Sequence, residues 1–304
     1  MARVFVTRAV PGDALERLRH AHEVRVWDGA LPPEPAVLRE AIAEVEGLLC
    51  LLTERVDRAL LDAAPRLRAI ANYAVGTDNI DLESTRARGI PVGVTPDVLT
   101  EATADLAFAL LLAAARRLPQ AAADARAGAW RTWEPAGWLG AEVDGAALGI
   151  VGFGRIGRAL ARRAQGFRMT VRSTADTELD ELLACSDYVS LHVPLTPRTR
   201  HLIDGAALKR MRPTAILVNT SRGAVIDQAA LIEALRAGEI AAAALDVTDP
   251  EPPPPGDPVY DTPNLLVVPH IGSATHAARA RMTELSVENL LAGLDGRAMP
   301  HPAG

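Results

Sequence analysis

Three residues in the second half of the chain carry side chains suited to one reaction. Arg222 follows Asn219-Thr220-Ser221 at the end of an apolar run, the kind of position where open α/β sheets place ligands. Its guanidinium can hold a carboxylate in a bidentate fork and polarise a neighbouring carbonyl oxygen. His270 lies in Pro269-His270-Ile271-Gly272-Ser273, after another apolar run. An imidazole titrates near neutral pH and can give a proton to that oxygen as hydride reaches the carbon. Glu251 sits in a proline-rich loop, and a carboxylate paired with His270 would keep the acid form loaded. Taken singly, the three read as a surface ion pair, a loop histidine and a solvated acid. Placed after successive strand ends, they read together as the means to reduce a keto acid.

Such a reduction needs a hydride carrier. The stretch Leu148-Gly149-Ile150-Val151-Gly152-Phe153-Gly154-Arg155-Ile156-Gly157-Arg158-Ala159 is a strand, a G-x-G-x-x-G turn and the start of a helix. Gly152 permits the tight turn, Gly154 lets backbone approach a pyrophosphate, and Gly157 lets helix and strand pack closely. Phe153, Arg155 and Ile156 complete the turn, and the helix N-terminus offers N–H groups to phosphate. The spacing predicts a ribose-binding acid about 20 residues further on. Arg172, Ser173 and Thr174 stand there, and they suit a 2′-phosphate. Asp176 follows; it either holds a free ribose or caps a helix from Thr177, and ordinary loop polarity is the plainer reading of the whole stretch. NADP or NAD is expected, with NADPH favoured.

The elements that must position these residues follow from the apolar pattern. The first third alternates short apolar runs, such as Gly47-Leu48-Leu49-Cys50-Leu51-Leu52, with helical segments. A helix capped by Thr100 is expected to run through Leu118 and stop at Pro119. A less periodic arm carrying Trp130, Trp133 and Trp138 follows, and a second alternating series starts at Ala147. A last helix is expected from near Thr275 toward Leu294. The fold class is α/β: two doubly wound, parallel-sheet, Rossmann-like domains with a cleft between them. Residues 1–99 plus 277–304 form the substrate-side domain, and 100–276 the dinucleotide-binding domain, with the arm at about 120–146.

Composition narrows the class further. The chain has 304 residues, 49% hydrophobic and 23% charged, with a formal net charge of -6. That mild acidity argues against a nucleic-acid or membrane-surface partner. The two cysteines, Cys50 and Cys185, lack ligand spacing, so no metal site and no disulfide is expected, and a cytoplasmic location is the default.

The ordered set of motifs resembles the D-2-hydroxyacid dehydrogenase family and, within it, the glyoxylate/hydroxypyruvate reductases. The matching stretches include Asn72-Tyr73-Ala74-Val75-Gly76-Thr77-Asp78-Asn79-Ile80-Asp81, Thr103-Ala104-Asp105-Leu106-Ala107 and the glycine-rich turn. They continue with His192-Val193-Pro194-Leu195-Thr196, Asn219-Thr220-Ser221-Arg222-Gly223, Leu245-Asp246-Val247 and Pro269-His270-Ile271-Gly272-Ser273-Ala274-Thr275. The resemblance implies that Arg222, Glu251 and His270 are catalytic and that Val75 and Gly76 present backbone N–H groups to the substrate carboxylate. It implies that Asp246 holds the nicotinamide carboxamide, that Thr220 and Gly272 lie beside the cofactor, and that Pro194 lines the adenosine side. A homodimer is implied, with Trp138 closing the neighbouring subunit's site or simply packing in the interface. Relatives usually carry roughly a dozen more residues between Gly166-Phe167 and Leu182-Leu183, over the adenosine half. That gap leaves a non-catalytic NAD(P)-sensing protein of the same fold as the alternative. A phosphite-type dehydrogenase is a further one, whereas Glu251 speaks against formate oxidation, whose enzymes carry Gln there.

Overall fold

A computed structural model of the chain describes residues 1–303. It divides into two compact units, Met1–Leu99 with Ala274–Gly304, and Thr100–Ser273. The second boundary lies between Ser273 and Ala274, three residues ahead of the expected one between 276 and 277.

The first unit is built on β1 (Arg3–Val6), β2 (Glu23–Val26), β3 (Gly47–Cys50), β4 (Ala69–Asn72) and β5 (Val92–Gly93). The strands pair in the order β2-β1-β3-β4-β5, all parallel. Helices α1 (Ala14–Ala21), α2 (Pro35–Ile42), α3 (Arg58–Asp62) and α4 (Leu82–Ala87) connect them. β3 and β4 are buried at every position, as strands covered on both faces must be. β2 alternates exposed and half-buried residues, as an edge strand does.

The second unit begins with α5 (Thr100–Ala115) and α6 (Leu118–Arg126). Its sheet comprises β6 (Ala147–Val151), β7 (Thr170–Ser173), β8 (Tyr188–Leu191), β9 (Ile216–Asn219), β10 (Ala242–Leu245) and β11 (Leu265–Val267). The order is β11-β10-β9-β8-β6-β7, again all parallel. The crossovers are α7 (Arg155–Gln165), α8 (Leu179–Cys185), α9 (Gly205–Arg210) and α10 (Gln228–Ala237). Side-chain alternation sorts the two cores. Val189, Leu191 and Leu217 face Leu182, Leu208 and Leu231 of α8, α9 and α10. Leu148, Ile150 and Val218 face Phe108 and Leu111 of α5 and Leu160 of α7. The chain then returns to the first unit in α11 (His276–Leu294), whose Met282, Val287 and Leu290 pack on Val4, Val6 and Ala71. Thr275 caps α11, its side chain accepting the Ala278 N–H at 3.1 Å.

Three local expectations are corrected. Thr100 is the first residue of α5 rather than its cap. Pro119 does not stop the helix: α5 ends at Ala115, Arg117 takes a left-handed φ of 51°, and Pro119 lies in the first turn of α6. A proline is tolerated there because the first-turn N–H groups have no intrahelical acceptor. Asp176 caps no helix either. Its Oδ1 accepts from Ser173 N and Oγ, both at 3.2 Å, and from Thr177 Oγ1 at 3.3 Å, while α8 begins later, at Leu179. In the second sheet β7 is the edge, so the strand that usually lies outside it in a doubly wound dinucleotide fold is missing. Among the described residues, no single helix is long and apolar enough to cross a membrane.

Candidate active site

The glycine-rich turn leaves β6 at the point where the strand order reverses, with β7 on one side and β8 on the other. Gly152 has a φ of 94°, and a Cβ on it would lie 2.7 Å from the backbone carbonyl of His192, at the end of β8. A Cβ on Gly157 would lie 2.3 Å from the Gly152 carbonyl oxygen, so α7 meets the turn backbone to backbone. Gly154 differs: a Cβ there would meet nothing within 4 Å. The protein itself does not require glycine at Gly154, and the open space over it is room for a ligand. Gly154 is also the N-cap of α7 and makes no side-chain cap, which leaves that helix start to a phosphate. Arg158 extends over the Phe153 ring at 5.8 Å, and Ile156 is half-buried in the same turn.

The ends of the neighbouring strands carry polar atoms without partners. Thr220, buried after β9, has an unpartnered Oγ1, and His192 has an unpartnered Nδ1 shielded from solvent. Ser190 Oγ holds the other ring nitrogen of His192 at 2.8 Å. Burial brings the His192 imidazole down to about 4, so it stays neutral at physiological pH. His192 is absent from the sequence-based site. Its sequence signals are its place at the head of the His192-Val193-Pro194-Leu195-Thr196 stretch and the alternation that puts Ser190 and His192 on one face. With the open space over Gly154, these orphaned atoms fit a dinucleotide along this edge.

At the ribose end, Thr174 Oγ1 accepts the Gly152 N–H at 3.0 Å. Ser173 is buried, and its Oγ is engaged with Asp176. Arg172 is exposed and faces Glu181 at 3.4 Å. Pro194 is exposed, and its carbonyl accepts from Thr199 Oγ1 at 2.6 Å.

The proposed catalytic side chains all belong to the second unit. His270 Nδ1 lies 2.5 Å from Glu251 Oε1, both partly exposed. His270 is held by backbone as well: its φ is 52°, and its N–H reaches Asp246 O at 2.9 Å. The buried Asp246 accepts the N–H groups of Ile271 at 2.6 Å and Gly272 at 2.9 Å, and so anchors the loop that carries His270. Burial raises the Asp246 carboxyl above its ordinary range, against the opposing pull of the Ile271 N–H and of His270. Arg222 leaves the end of β9 in extended conformation, its Nη1 donating to Ser221 O at 2.9 Å. Asn219 fixes this turn, donating to Arg222 O at 2.9 Å and accepting from Ser221 N at 3.0 Å. A Cβ on Gly223 would sit 1.9 Å from Thr248 O, so the Arg222 loop and the loop leading to Glu251 abut through bare backbone. Thr248 N in turn donates to Glu251 Oε2 at 3.4 Å.

A model of the D-isomer specific 2-hydroxyacid dehydrogenase NAD-binding domain matches residues 108–272. The chain belongs to that family. Over 98% of its length it is 48% identical to a glyoxylate reductase of Korarchaeum cryptofilum, 95% of which is covered. The solved TT0316 protein from Thermus thermophilus is 50% identical and superposes with a TM-score of 0.94, over 99% of this chain and all of that one. An NADPH-dependent glyoxylate/hydroxypyruvate reductase from Sinorhizobium meliloti, solved with NADP and malonate, is 33% identical, with a TM-score of 0.87 over 100% of this chain and 97% of that one.

In this dehydrogenase the remaining candidates stand as follows. Val75 and Gly76 lie in the first unit, in the turn after β4, and neither N–H has an acceptor among the described residues. Trp138, with a φ of 52°, lies under the Arg117 guanidinium at 5.0 Å. Trp130 and Trp133 of the same arm are 76% and 80% exposed, which is unusual for large apolar side chains. Among the described residues, no group of histidine, cysteine and acidic side chains could hold a metal.

Proposed function

We propose that this chain reduces a small 2-keto acid, glyoxylate or hydroxypyruvate, to the D-2-hydroxy acid. NAD(P)H, when bound, supplies the hydride. The observation that carries the reading is the 2.5 Å pairing of His270 with Glu251, on a loop anchored by a buried carboxylate. Glu251 takes the Nδ1 side of the ring, which leaves Nε2 to deliver a proton to the carbonyl oxygen. Arg222 holds the substrate carboxylate and polarises that oxygen. Val75 and Gly76, in the first unit, present N–H groups suited to a substrate carboxylate. Gly152, Gly154, Arg155 and Gly157 hold the pyrophosphate, Thr220, Gly272 and Asp246 serve the nicotinamide half, and Pro194 serves the adenosine half.

NADPH is the favoured cofactor on this reading. β7 ends in Ser173 and Thr174 rather than an acid, and Asp176 Oδ1 already serves three donors. Arg172 is tied only by an exposed pair that a 2′-phosphate can replace. A homodimer formed through the arm is supported by the exposure of Trp130, Trp133 and Leu139. A cytoplasmic location goes with the two unpaired cysteines.

The test is direct. Glyoxylate and hydroxypyruvate are added to enzyme with NADPH or NADH, and oxidation of the nicotinamide is followed by absorbance. Turnover is expected with both acids and is faster with NADPH. No turnover with any 2-keto acid, together with tight nucleotide binding, would instead establish the non-catalytic sensor.

A further inference from the structure

The turn that carries Val75 and Gly76 is fixed by a buried polar network. Asn72, the last residue of β4, is fully buried. Its Nδ2 donates to Gly76 O at 2.8 Å and so closes the turn across its mouth. Asn79 pairs with it amide to amide, at 3.2 Å in one direction and 3.3 Å in the other. The Asn79 Nδ2 also donates to Leu51 O at 3.0 Å and Glu54 O at 3.1 Å, in the loop after β3. That loop is locked in turn by the buried Glu54 carboxylate, which accepts from Leu51 N at 2.7 Å, Thr53 Oγ1 at 2.5 Å and Thr7 Oγ1 at the end of β1. Three strand ends are thereby joined to one carbonyl.

The consequence lies in the peptide geometry. Ala74 N donates back to Asn72 O at 2.7 Å, and Thr95 N donates to Ala74 O at 2.9 Å, so the near side of the turn is fixed by backbone. The far side, Gly76, has no side chain of its own to hold it, and the bond from Asn72 supplies that hold. A flexible turn would lose entropy each time its two N–H groups were aligned on an anion, whereas a fixed one does not. We infer that Asn72, locked by Asn79, is a positioning residue that sets the Val75 and Gly76 N–H groups for a carboxylate substrate. This rests on the keto-acid reading above.

The test compares Asn72→Ser, whose hydroxyl is too short to reach Gly76 O, with wild type. KM for glyoxylate should rise roughly tenfold, the loss of about one well-made hydrogen bond's worth of alignment, while kcat stays within about twofold. The dissociation constant for NADPH, read by fluorescence titration, should also stay within about twofold. Methyl glyoxylate, which lacks the carboxylate, should be reduced equally by both proteins. An unchanged KM for glyoxylate, or equal losses on the acid and its ester, overturns the inference and leaves Asn72 a purely structural residue. Asn79→Ala, which keeps Asn72 but frees its amide, should raise KM in the same direction by a smaller factor. If Asn72→Ser does not fold, that variant decides alone, and an unchanged KM overturns the inference. Failure of the wild type to reduce glyoxylate would be a failure of the functional reading instead.

Discussion

The two sheets are wound alike, yet their reversal points are finished in opposite ways. In the first unit the order reverses between β1 and β3, and the strand ends there are sealed by Thr7, Glu54 and Asn79 bonding to one another. In the second it reverses between β6 and β8, where Gly154 faces open space and His192 keeps an unpartnered atom, as does Thr220 after the neighbouring β9. A buried polar atom without a partner is unfavourable in the bare protein, and at this second edge a bound dinucleotide would complete it. The same topology thus yields a closed edge that holds a turn rigid and an open edge that receives a dinucleotide. Winding alone decides neither function.

The contrast can be tested from several sides. On the proposed reading His270→Ala removes the proton donor and leaves the open edge untouched, so kcat should fall by about 10²–10⁴-fold while the NADPH dissociation constant changes little. Steady-state rates beside a nucleotide titration measure both, and unaltered turnover would move the chemistry elsewhere. Gly154→Val should weaken NADPH binding by roughly 100-fold with only a small loss of melting temperature, since its Cβ enters space that only the ligand needs while valine is a poorer N-cap for α7 than glycine. Retained affinity would mean the open edge is not the nucleotide edge.

Stability should respond in the reverse sense. Glu54→Ala strands the Leu51 N–H and two hydroxyl groups, and should destabilise the first unit by about 3 kcal/mol in denaturant titrations. Thr220→Val removes an oxygen that has no partner in the protein. It should leave stability equal or slightly raised, while NADPH affinity falls by roughly fivefold. Equal destabilisation by the two changes would erase the distinction between the edges.

A separate test concerns pH. The His192 imidazole is held at about 4, against an ordinary 6.5 in the unfolded chain. Across that interval the unfolded chain binds more protons, so stability falls as pH drops from 6.5 toward 4. His192→Gln removes that uptake, and its melting temperature should decline less steeply than wild type through the same interval. Parallel curves would show that His192 is not shut off from water.

Much of this was legible in the chain itself. The turn from Gly152 to Gly157, the apolar run from Gly47 to Cys50 and the start of the last helix near Thr275 are local: each depends on residues within one turn or one strand. The departures are local as well. Usual positional preferences make Thr100 a cap and Pro119 a stop, whereas Arg117, which breaks the helix, is not a residue type that marks a left-handed bend. Asp176 looks like a helix cap because nothing in its neighbourhood announces that Ser173 will occupy its Oδ1.

The sequence by itself determined the parallel α/β class and the phosphate-binding turn, since periodicity and turn chemistry act over short spans, and it put forward Arg222, Glu251 and His270 as candidates by their residue types. Only the tertiary structure decided that His270 meets Glu251, that Asp246 anchors the loop carrying His270, and that the Arg222 and Glu251 loops touch through Gly223. It alone decided that one sheet edge is sealed and the other left open. Those outcomes depend on backbone atoms far apart in the chain, brought within hydrogen-bond range by strand pairing, and no spacing along the sequence encodes that approach.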